Sequence, residues 1–308
     1  MKVLFISSGN YGDLISPIVQ NQGESLIQKG LIIHFFPIRG KGLLSYLRHV
    51  LILRNYRRKN SYDLFHAHYS LSAFVATLAG CKPLIVSLMG SDTKCGFIIK
   101  KVIQMLGIRR WNAVIVKSDS MKTDIGIEGV KIIPNGVDLK RVITKREKKT
   151  NSKEKKVLFA ADPQRDVKNY QLANEAISLI NNDNIVLNVA FARSYDQIIE
   201  EINNSDLVLL TSFWEGSPNI IKEAMACNCP IVTTEVGDVK WILGNTNGCY
   251  ITSFDPGDVA EKIKGALNFG RQTDGRQRLI ELGLDSDTVA TKLIHIYEEI
   301  LINAKSQE

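Results

Sequence analysis

The sequence predicts an α/β protein of 308 residues, built from two Rossmann-like doubly wound domains that face a crevice. Short apolar strands alternate with helical spans along the chain, which is the pattern of parallel βαβ units. The opening strand "KVLFISS" has an echo, "KVLFAAD", about halfway along. Between the two series lies a charged segment poor in apolar residues, "LKRVITKREKKTNSKEKK", which we interpret as a linker.

The first series of elements predicts an N-terminal domain over residues 1–150. A helix from Leu14 to Lys29 follows the opening strand, and the later strands are "LIIHFFPI", "YDLFHAHY", "PLIVSLMG", "AVIVKSD" and "VKIIPNG". The second series predicts a C-terminal domain over residues 151–308, whose further strands are "IVLNVAF", "LVLLTSF", "PIVTTEV" and "CYIT". Its last helix is a candidate for packing back on the N-terminal domain. Ligands of such sheets bind at the carboxyl ends of the strands.

Composition and cysteine usage exclude several classes of protein. Apolar residues make up 44% and charged residues 23% of the chain, so a sizeable core is expected. No apolar run reaches the roughly 18 residues that span a bilayer, and no signal peptide is recognised, which predicts a cytoplasmic protein. The five cysteines match neither a disulfide framework nor a paired zinc spacing, so we expect reduced thiols and no metal.

Charge is distributed unevenly between the two predicted domains. Residues 1–150 carry 24 Lys and Arg against 9 Asp and Glu, a net of +15, whereas residues 151–308 have a net charge of −8. A basic half can bind nucleic acid, an anionic membrane surface or anionic substrates, and charge alone does not choose between them.

Residues 41–60, "KGLLSYLRHVLILRNYRRKN", predict an amphipathic helix without an acidic residue. An apolar face is expected from Leu43, Leu44, Leu47, Val50 and Leu51, with arginines around it. In one interpretation this stripe packs on the N-terminal sheet. In the other, the basic face also docks on anionic lipid at the inner face of the cell membrane.

The segment "FWEGSPNIIKEAMACNCPIV" carries the strongest candidate site. Glu215 lies in a predicted strand-to-helix turn, Ser217 is the predicted N-cap, Pro218 suits the first helical position, and Glu223 falls in the second turn. The backbone N–H groups of residues 217–220 and the positive helix end would then suit a diphosphate, with the two carboxylates on sugar and ribose hydroxyls. The alternative is that Glu215 caps locally and Glu223 is a solvated helix residue.

Other nucleotide-binding signatures are missing, since the chain contains neither Gly-x-Gly-x-x-Gly nor a P-loop. Gly9 and Gly12, after the first strand, would let the backbone approach an anion, although a plain turn explains them equally well. The triplet Asp285-Ser286-Asp287 is interpreted as a helix N-cap rather than as a metal motif.

The Glu215 segment resembles the Glu-x7-Glu signature of family 4 glycosyltransferases, which are retaining enzymes of the GT-B fold. "FHAHYSLSAFVA" with "PLIVSLMGSD", "IPNGVD" and "FAADPQRDVKNY" resemble the family's acceptor-side domain, interdomain turn and phosphate-binding loop, in the same order. Two positions depart from the pattern. Met89 stands where many members have a donor-contacting His. Asp162 stands where an Arg is usual, with Arg165 as the nearest replacement and Lys168 matching the usual Lys.

The resemblance implies transfer of a hexose from a nucleotide-diphosphate sugar to a glycan or lipid-linked acceptor, without a cofactor or metal, in bacterial surface polysaccharide synthesis. The residues it implicates fall into three groups. They are catalytic Arg165, Lys168 and Glu215; donor-binding Gly12, Gly216, Ser217, Pro218, Asn219, Ile220, Glu223 and Asn135; and acceptor-side His66, His68 and Asp92. A solvated loop for the cations, a structural role for the histidines and a turn for Asn135 are the alternatives.

Three other functions compete with this one. A sugar-nucleotide epimerase would share the two-domain build. A catalytically inactive sugar-nucleotide-binding subunit is suggested by Met89 and by the shifted arginine. A nucleic-acid binder rests on the basic half alone, without a recognisable reading module.

Overall fold

A computed structural model describes residues 1–10, 15–40, 42–94, 96–144, 154–270 and 272–305. The chain divides into two compact units. The first contains Met1–Gly136 together with Ser286–Glu308, and the second contains Val137–Asp285. Each unit is a parallel sheet flanked by helices, so the predicted α/β two-domain class is confirmed.

The first unit is built on a six-stranded parallel sheet in the order β2-β1-β3-β4-β5-β6. Its strands are β1 (Lys2–Ser8), β2 (Ile32–Ile38), β3 (Leu64–His68), β4 (Leu84–Ser87), β5 (Ala113–Val116) and β6 (Lys131–Ile132). Its helices are α1 (Pro17–Gln28), α2 (Leu43–Lys59), α3 (Ser70–Ala79), α4 (Phe97–Arg109), α5 (Asp119–Ile125) and, after the second unit, α12 (Ser286–Lys305).

Helices cover both faces of this sheet, which explains why its central strands are continuous apolar runs. On β1, Leu4 and Ile6 face a cluster that includes buried residues of α2, α3, α4 and α5. Val3 and Phe5 face the opposite cluster, to which α1 and α12 contribute. Helix α12 is integral to this second layer, because Leu293 and Tyr297 are fully buried there.

The second unit is built on a five-stranded parallel sheet in the order β11-β10-β9-β7-β8. Its strands are β7 (Lys155–Phe159), β8 (Ile185–Val189), β9 (Leu207–Leu210), β10 (Ile231–Thr234) and β11 (Cys249–Thr252). A 3₁₀ turn covers Asp166–Lys168, and the helices are α6 (Tyr170–Ile180), α7 (Tyr195–Asn203), α8 (Asn219–Ala226), α9 (Val239–Leu243), α10 (Pro256–Phe269) and α11 (Gly275–Glu281).

The units divide after Gly136 and after Asp285, and not after residue 150 as the sequence suggested. The segment after Gly136 belongs to the second unit because it is built into that core. The Val137 N–H donates to the Leu284 carbonyl at 2.9 Å, and Val142 is fully buried. The charged residues 145–153 of the predicted linker lie outside the described residues.

The guanidinium of Arg276 is one of the groups that fix this segment. Arg276, on α11, donates to the Val142 carbonyl at 2.8 Å and to the Ala226 carbonyl at 2.9 Å, and it also donates to the carbonyl of Leu139. One cation therefore satisfies carbonyls from two stretches that are distant in sequence. Such charge-assisted hydrogen bonds are stronger than neutral ones.

The orientation of α2 differs from the prediction. Its inward face consists of buried Leu53 with half-buried Tyr46, Val50 and Tyr56, and the ring of Tyr56 lies 5.5 Å from that of Phe36. Aromatic side chains thus fill the space beside the sheet that the leucine stripe was expected to fill.

Three leucines of the predicted stripe are instead exposed, with exposed fractions of 83% for Leu44, 48% for Leu47 and 67% for Leu51. Val50 packs inward as predicted, and the side chain of Leu43 lies outside the described part of the chain. Arg54 and Arg57 hold the helix in this rotation, since they donate to the carbonyls of Leu78 and Ala79 at the end of α3, at 3.1 and 2.7 Å. Among the described residues, no helix combines the length and apolarity that crossing a bilayer requires.

We predict that Arg276→Ala lowers the free energy of unfolding by about 2–4 kcal/mol, because carbonyls in the second unit lose a charged donor. Urea unfolding of the purified variant measures this change. Lys264→Ala, at an exposed position on α10, is the control and should change stability by less than about 0.5 kcal/mol. Equal midpoints for Arg276→Ala and the wild type would contradict the prediction.

Candidate functional site

The second sheet has a point where its strand order reverses. Strand β7 has β8 on one side and β9 on the other, and the helices after β7 and β9, α6 and α8, pack in different core clusters. The loops after these two strands therefore diverge, leaving a place where a ligand can meet the carboxyl ends of the strands. Lys168 follows β7, and Glu215 follows β9.

Lys168 and Glu215, both predicted site residues, meet at this point. The Lys168 Nζ donates to Glu215 Oε1 at 2.5 Å, and the Ser212 hydroxyl donates to the same oxygen at 2.9 Å. Only 17% and 18% of the two charged side chains is exposed. Because little water surrounds the pair, the attraction is stronger than at an open surface. A cation and a carboxylate thus lie together at the switch point, the place between β7 and β9 where the strand order reverses.

Hydrogen bonds fix the loops that carry this pair. The Phe213 N–H donates to the Val167 carbonyl at 2.9 Å. The Thr211 hydroxyl donates to the Asn169 carbonyl at 2.9 Å. Thr234, at the end of β10, donates to the Ser212 carbonyl at 2.7 Å. The positions of Lys168 and Glu215 are therefore set by hydrogen bonds that join the loop after β7 to the end of β9 and the end of β9 to β10.

The start of α8 corrects the sequence prediction. The helix begins at Asn219 with Pro218 as its cap residue, and no side chain caps it. Ser217, the predicted cap, instead accepts a hydrogen bond from the Lys222 Nζ at 3.1 Å. Because Pro218 has no N–H, the first-turn N–H groups run from Asn219 through Ile220 onward. These groups give the helix start its positive potential, just after Glu215 and Gly216.

Lys222 is a site residue that sequence reasoning missed. Its side chain is fully buried, and burial lowers the pKa of Lys222 to about 8, although the carboxylates of Asp238 and Glu223 act in the opposite direction. Lysine is rarely buried, so its position next to Glu223 on a helix gave no signal of this role.

Two carboxylates adjoin this ammonium. Burial raises the pKa of Glu223 to about 7, and the charge of Lys222 opposes that rise. Burial likewise raises the pKa of Asp238 to about 6, again against the attraction of Lys222. Neither carboxylate oxygen of Asp238 makes a hydrogen bond of normal geometry to the described residues. The three groups thus form a charged cluster that titrates near neutral pH.

The loop after β10 brings Asp238 to the site through a glycine. Gly237 has φ +59°, and a Cβ atom at this position would lie 2.6 Å from the Gly216 carbonyl oxygen. The backbone of this loop therefore packs directly on the Glu215-Gly216 turn. In the sequence, the only indication of Asp238 was the dipeptide "GD" after a predicted strand, and this pattern by itself predicts only a turn.

Arg165 and Asp162 lie in the loop after β7. The Asp162 carboxylate accepts the Gln164 N–H at 3.0 Å, and its carbonyl accepts the Arg165 N–H at 3.2 Å, so Asp162 shapes the turn. Arg165 precedes the 3₁₀ turn that carries Lys168, and its side chain is exposed.

The predicted acceptor-side histidines lie in the core of the first unit. Tyr297 contacts His66 Nδ1 at 2.6 Å, and Ser87 contacts its Nε2 at 2.9 Å. Burial lowers the pKa of His66 to about 3, and nearby Lys117 adds to the shift. The ring of His68 stacks on it at 4.3 Å. Both rings are buried, and these contacts favour the structural interpretation of His66.

Asp92 is also buried in the first unit, where it organises backbone. Its carboxylate accepts the N–H of Ser70, the first residue of α3, at 2.8 Å and the N–H of Met89 at 2.5 Å. Burial raises the pKa of Asp92. Asn135, after β6, is a buried residue of the first unit, whereas residues 216–220 and Glu223 belong to the second unit. Gly12 lies outside the described residues.

We predict that His68→Phe reduces the acid sensitivity of the fold. Burial, followed by the charges of His66 and Lys117, holds the pKa of His68 well below its usual value. Below about pH 6.5, His68 is therefore protonated in the unfolded chain but stays neutral in the native state. The free energy of unfolding then falls by up to about 1.4 kcal/mol per pH unit. Denaturant unfolding between pH 7.5 and 5 should give a shallower slope for the variant, and equal slopes would refute this.

Two family models match the chain. The model described as "Glycosyltransferase Family 4" matches residues 15–141, and the model described as "Glycosyl transferases group 1" matches residues 163–268. Together the matched ranges include most of both units. No curated protein sequence matches significantly.

Solved structures with the same fold cover nearly the whole chain. A glycosyltransferase from Rickettsia africae has a TM-score of 0.72 at 14% identity, covering 97% of this chain and 98% of its own. Sucrose-phosphate synthase from Thermosynechococcus elongatus has a TM-score of 0.77 at 15% identity, with coverages of 98% and 100%. HepE from Anabaena, solved in complex with UDP, has a TM-score of 0.71 at 16% identity, with coverages of 97% and 100%.

At these identities the structural likeness establishes the fold alone, and the activity follows from the family models. The paired Lys168 and Glu215 lie in the range matched by the group 1 model. The chain therefore belongs to the family 4 glycosyltransferases and is a transferase of the GT-B fold.

Proposed function

We propose that the protein transfers a sugar from a nucleotide-diphosphate donor to a glycan or lipid-linked acceptor, with retention of the anomeric configuration. The observation that carries the proposal is the Lys168–Glu215 pair at the switch point of the second sheet, next to the start of α8. The Anabaena structures with UDP and with UDP and glucose add support, because a protein of the same fold binds a nucleotide diphosphate and a sugar.

The donor would be held by groups of opposite charge. The Glu215 carboxylate would accept hydrogen bonds from sugar hydroxyls, and Glu223 from the ribose. Lys168 and the first-turn N–H groups of α8 would face the diphosphate, as anions prefer helix N-termini. Exposed Arg165, at the start of the 3₁₀ turn, would add a second cation.

The transfer step would be a front-face substitution. The bond between the anomeric carbon and the diphosphate oxygen breaks, and its electron pair leaves with the diphosphate. The acceptor hydroxyl oxygen bonds to the same face of the anomeric carbon and gives its proton to the departing diphosphate oxygen. Lys168 and the helix start stabilise the charge that develops on this oxygen. In this mechanism cationic side chains neutralise the diphosphate without a metal.

A thermal-shift screen of nucleoside diphosphates and sugar nucleotides tests donor binding, since a ligand at 100 times its dissociation constant stabilises by about 2.7 kcal/mol. Product analysis with the best donor then separates the alternatives. Transfer or donor hydrolysis that survives EDTA supports the proposal. An isomeric sugar nucleotide indicates an epimerase, and binding without turnover indicates an inactive subunit.

We also propose that the acceptor is lipid-linked and serves bacterial surface polysaccharide synthesis at the inner face of the cell membrane. The support is α2, which exposes Leu44 and Leu51 among exposed Arg48, Arg58 and Lys59. Apolar side chains flanked by cations are typical of helices that lie on anionic lipid. Such docking would hold a membrane-bound acceptor near the first unit.

We predict that Lys168→Ala and Glu215→Ala each lower kcat by about 10²–10³ without unfolding the protein, because each removes one side of a charged site. Lys155→Ala is the matched control. Lys155 also pairs with a carboxylate, Asp206, at 3.2 Å, but at the start of β7 rather than beyond its carboxyl end. Wild-type kcat in either site variant, or an equal loss in the control, would contradict the assignment.

We predict that Lys222→Met moves the acid limb of the pH–rate profile upward. The ammonium lowers the pKa of both Glu223 and Asp238, so its loss raises both values and fewer carboxylates are ionised at pH 7. Profiles of kcat/KM between pH 5 and 9 measure the shift. Lys240→Met, at an exposed pair with Glu235, serves as the control, and an unmoved limb would show that Lys222 does not act on these carboxylates.

We predict that Arg48→Glu with Arg58→Glu weakens binding to anionic vesicles at low salt, since each cation near the surface contributes about 1 kcal/mol. Arg54 and Arg57 are left intact because they hold α3. Co-sedimentation measures binding, with Lys29→Glu on the other side of the sheet as the control. Indifference of the wild type to anionic vesicles would favour a soluble acceptor.

A further inference from the structure

Helix α4 exposes an unusual amount of apolar surface. Phe97 is 74% exposed, Ile98 is 77% exposed and Ile108 is 70% exposed, while Ile103 is the fully buried residue of this helix. Large side chains left in water cost free energy, and contiguous patches of them mark interaction surfaces. Since Phe97 and Ile98 stand at the first turn of α4, they project two bulky side chains from one end of the helix.

The segment that contains these residues is basic. Residues 93–118 contain six Lys or Arg and no Asp or Glu. Exposed Lys101 lies 5.5 Å above the Phe97 ring, and Arg109 and Arg110 are exposed at the other end of the helix. Cations therefore flank the exposed apolar residues at both ends of the helix, and Lys94, just before its start, pairs with Asp124 of α5 at 2.8 Å.

The patch lies on the same side of the first sheet as α2. Helices α2, α3 and α4 share one core cluster, and each also exposes apolar side chains away from it. Leu51 of α2 is 67% exposed and Leu78 of α3 is 55% exposed. One layer of the first unit thus presents both cations and apolar side chains on neighbouring helices.

This combination favours an anionic bilayer as the occupant. A second copy of the same face would bring cation against cation, which is repulsive, whereas anionic headgroups complement the lysines and arginines. A bilayer also offers an apolar layer just beneath those headgroups, where Phe and Ile side chains are favourable. An anionic bilayer thus complements both the cationic and the apolar side chains of this helix.

We propose that the first turn of α4 inserts into the interface of an anionic membrane, with Phe97 and Ile98 as the inserted side chains and Lys100 and Lys101 against the headgroups. This deepens the lipid-linked acceptor part of the proposed function and assigns membrane contact to a second helix besides α2. Insertion should depend weakly on salt, because it is apolar, whereas headgroup attraction is screened.

The experiment is co-sedimentation of the full chain with vesicles of phosphatidylglycerol and phosphatidylcholine, and with phosphatidylcholine alone. Phe97→Ser with Ile98→Ser should weaken binding to the anionic vesicles about tenfold or more, since two large apolar side chains lose a buried position. Ile27→Ser, 47% exposed on α1 at the opposite side of the sheet, should bind like the wild type. Lys100→Gln with Lys101→Gln should weaken binding at low salt and reduce its salt dependence.

Circular dichroism and thermal unfolding establish that the variants are folded, and donor hydrolysis without an acceptor should be unchanged in all of them. Wild-type affinity in Phe97→Ser with Ile98→Ser would overturn the inference, as would a wild type that ignores anionic vesicles. Concentration-dependent dimerisation that this double variant abolishes, without vesicle binding, would overturn it in favour of a second copy. If the protein binds anionic vesicles through α4 but has no transferase activity, the proposed function is wrong and the inference about α4 still holds.

Discussion

The attraction between Lys168 and Glu215 is the contact on which the charge balance of the candidate site depends. Opposite charges at 2.5 Å, with less than a fifth of either side chain exposed, hold together two loops that leave the sheet on different faces. Either charge alone in this place would be costly, because burial penalises an ion without a partner. Together with the hydrogen bonds of Thr211 and Phe213, they keep the loops after β7 and β9 in a defined geometry. The charges of Lys168 and Glu215 already neutralise each other. A charged ligand that binds either side chain would therefore have to replace part of this ion pair.

The charged cluster of Lys222, Glu223 and Asp238 has a different character. Lys222 is fully buried, and both of its neighbouring carboxylates have raised pKa values, about 7 for Glu223 and about 6 for Asp238. In the native state these carboxyls hold protons at pH values where the unfolded chain has released them. Their contribution to stability therefore falls as pH rises from about 4 to 7. The buried histidines of the first unit act in the opposite direction, because the unfolded chain takes up protons first. Glu223 and Asp238 on one side and the two buried histidines on the other thus shift stability in opposite directions as the pH changes.

Much of the fold and part of the site followed from sequence, for identifiable reasons. Apolar strands alternating with helices fixed the class, and Glu215 and Lys168 were placed by motifs at the ends of buried strands. Three expectations were wrong because tertiary contacts decided them. The segment after Gly136 belongs to the second unit, to which Arg276 and the Val137–Leu284 hydrogen bond tie it. Ser217 binds Lys222 instead of capping the helix. On α2, Leu53 and the aromatic side chains pack inward, so Leu44, Leu47 and Leu51 are exposed. Asp238 was missed because the sequence around "GD" does not show that this turn packs against the distant Glu215-Gly216 turn.

The position of α12 has a consequence for how the chain is made. Residues 286–305 are synthesised after the whole of the second unit, yet Leu293 and Tyr297 complete one layer of the first unit's core. During synthesis, Val3, Phe5 and Ile85 of the first unit therefore stay incompletely covered until α12 has been made. The second unit is contiguous in sequence, so it can fold before that point. Exposed apolar sheet surface of this kind is prone to aggregation. The order of synthesis thus leaves one face of the N-terminal sheet incompletely covered until the last helix has been made, although that sheet emerges first.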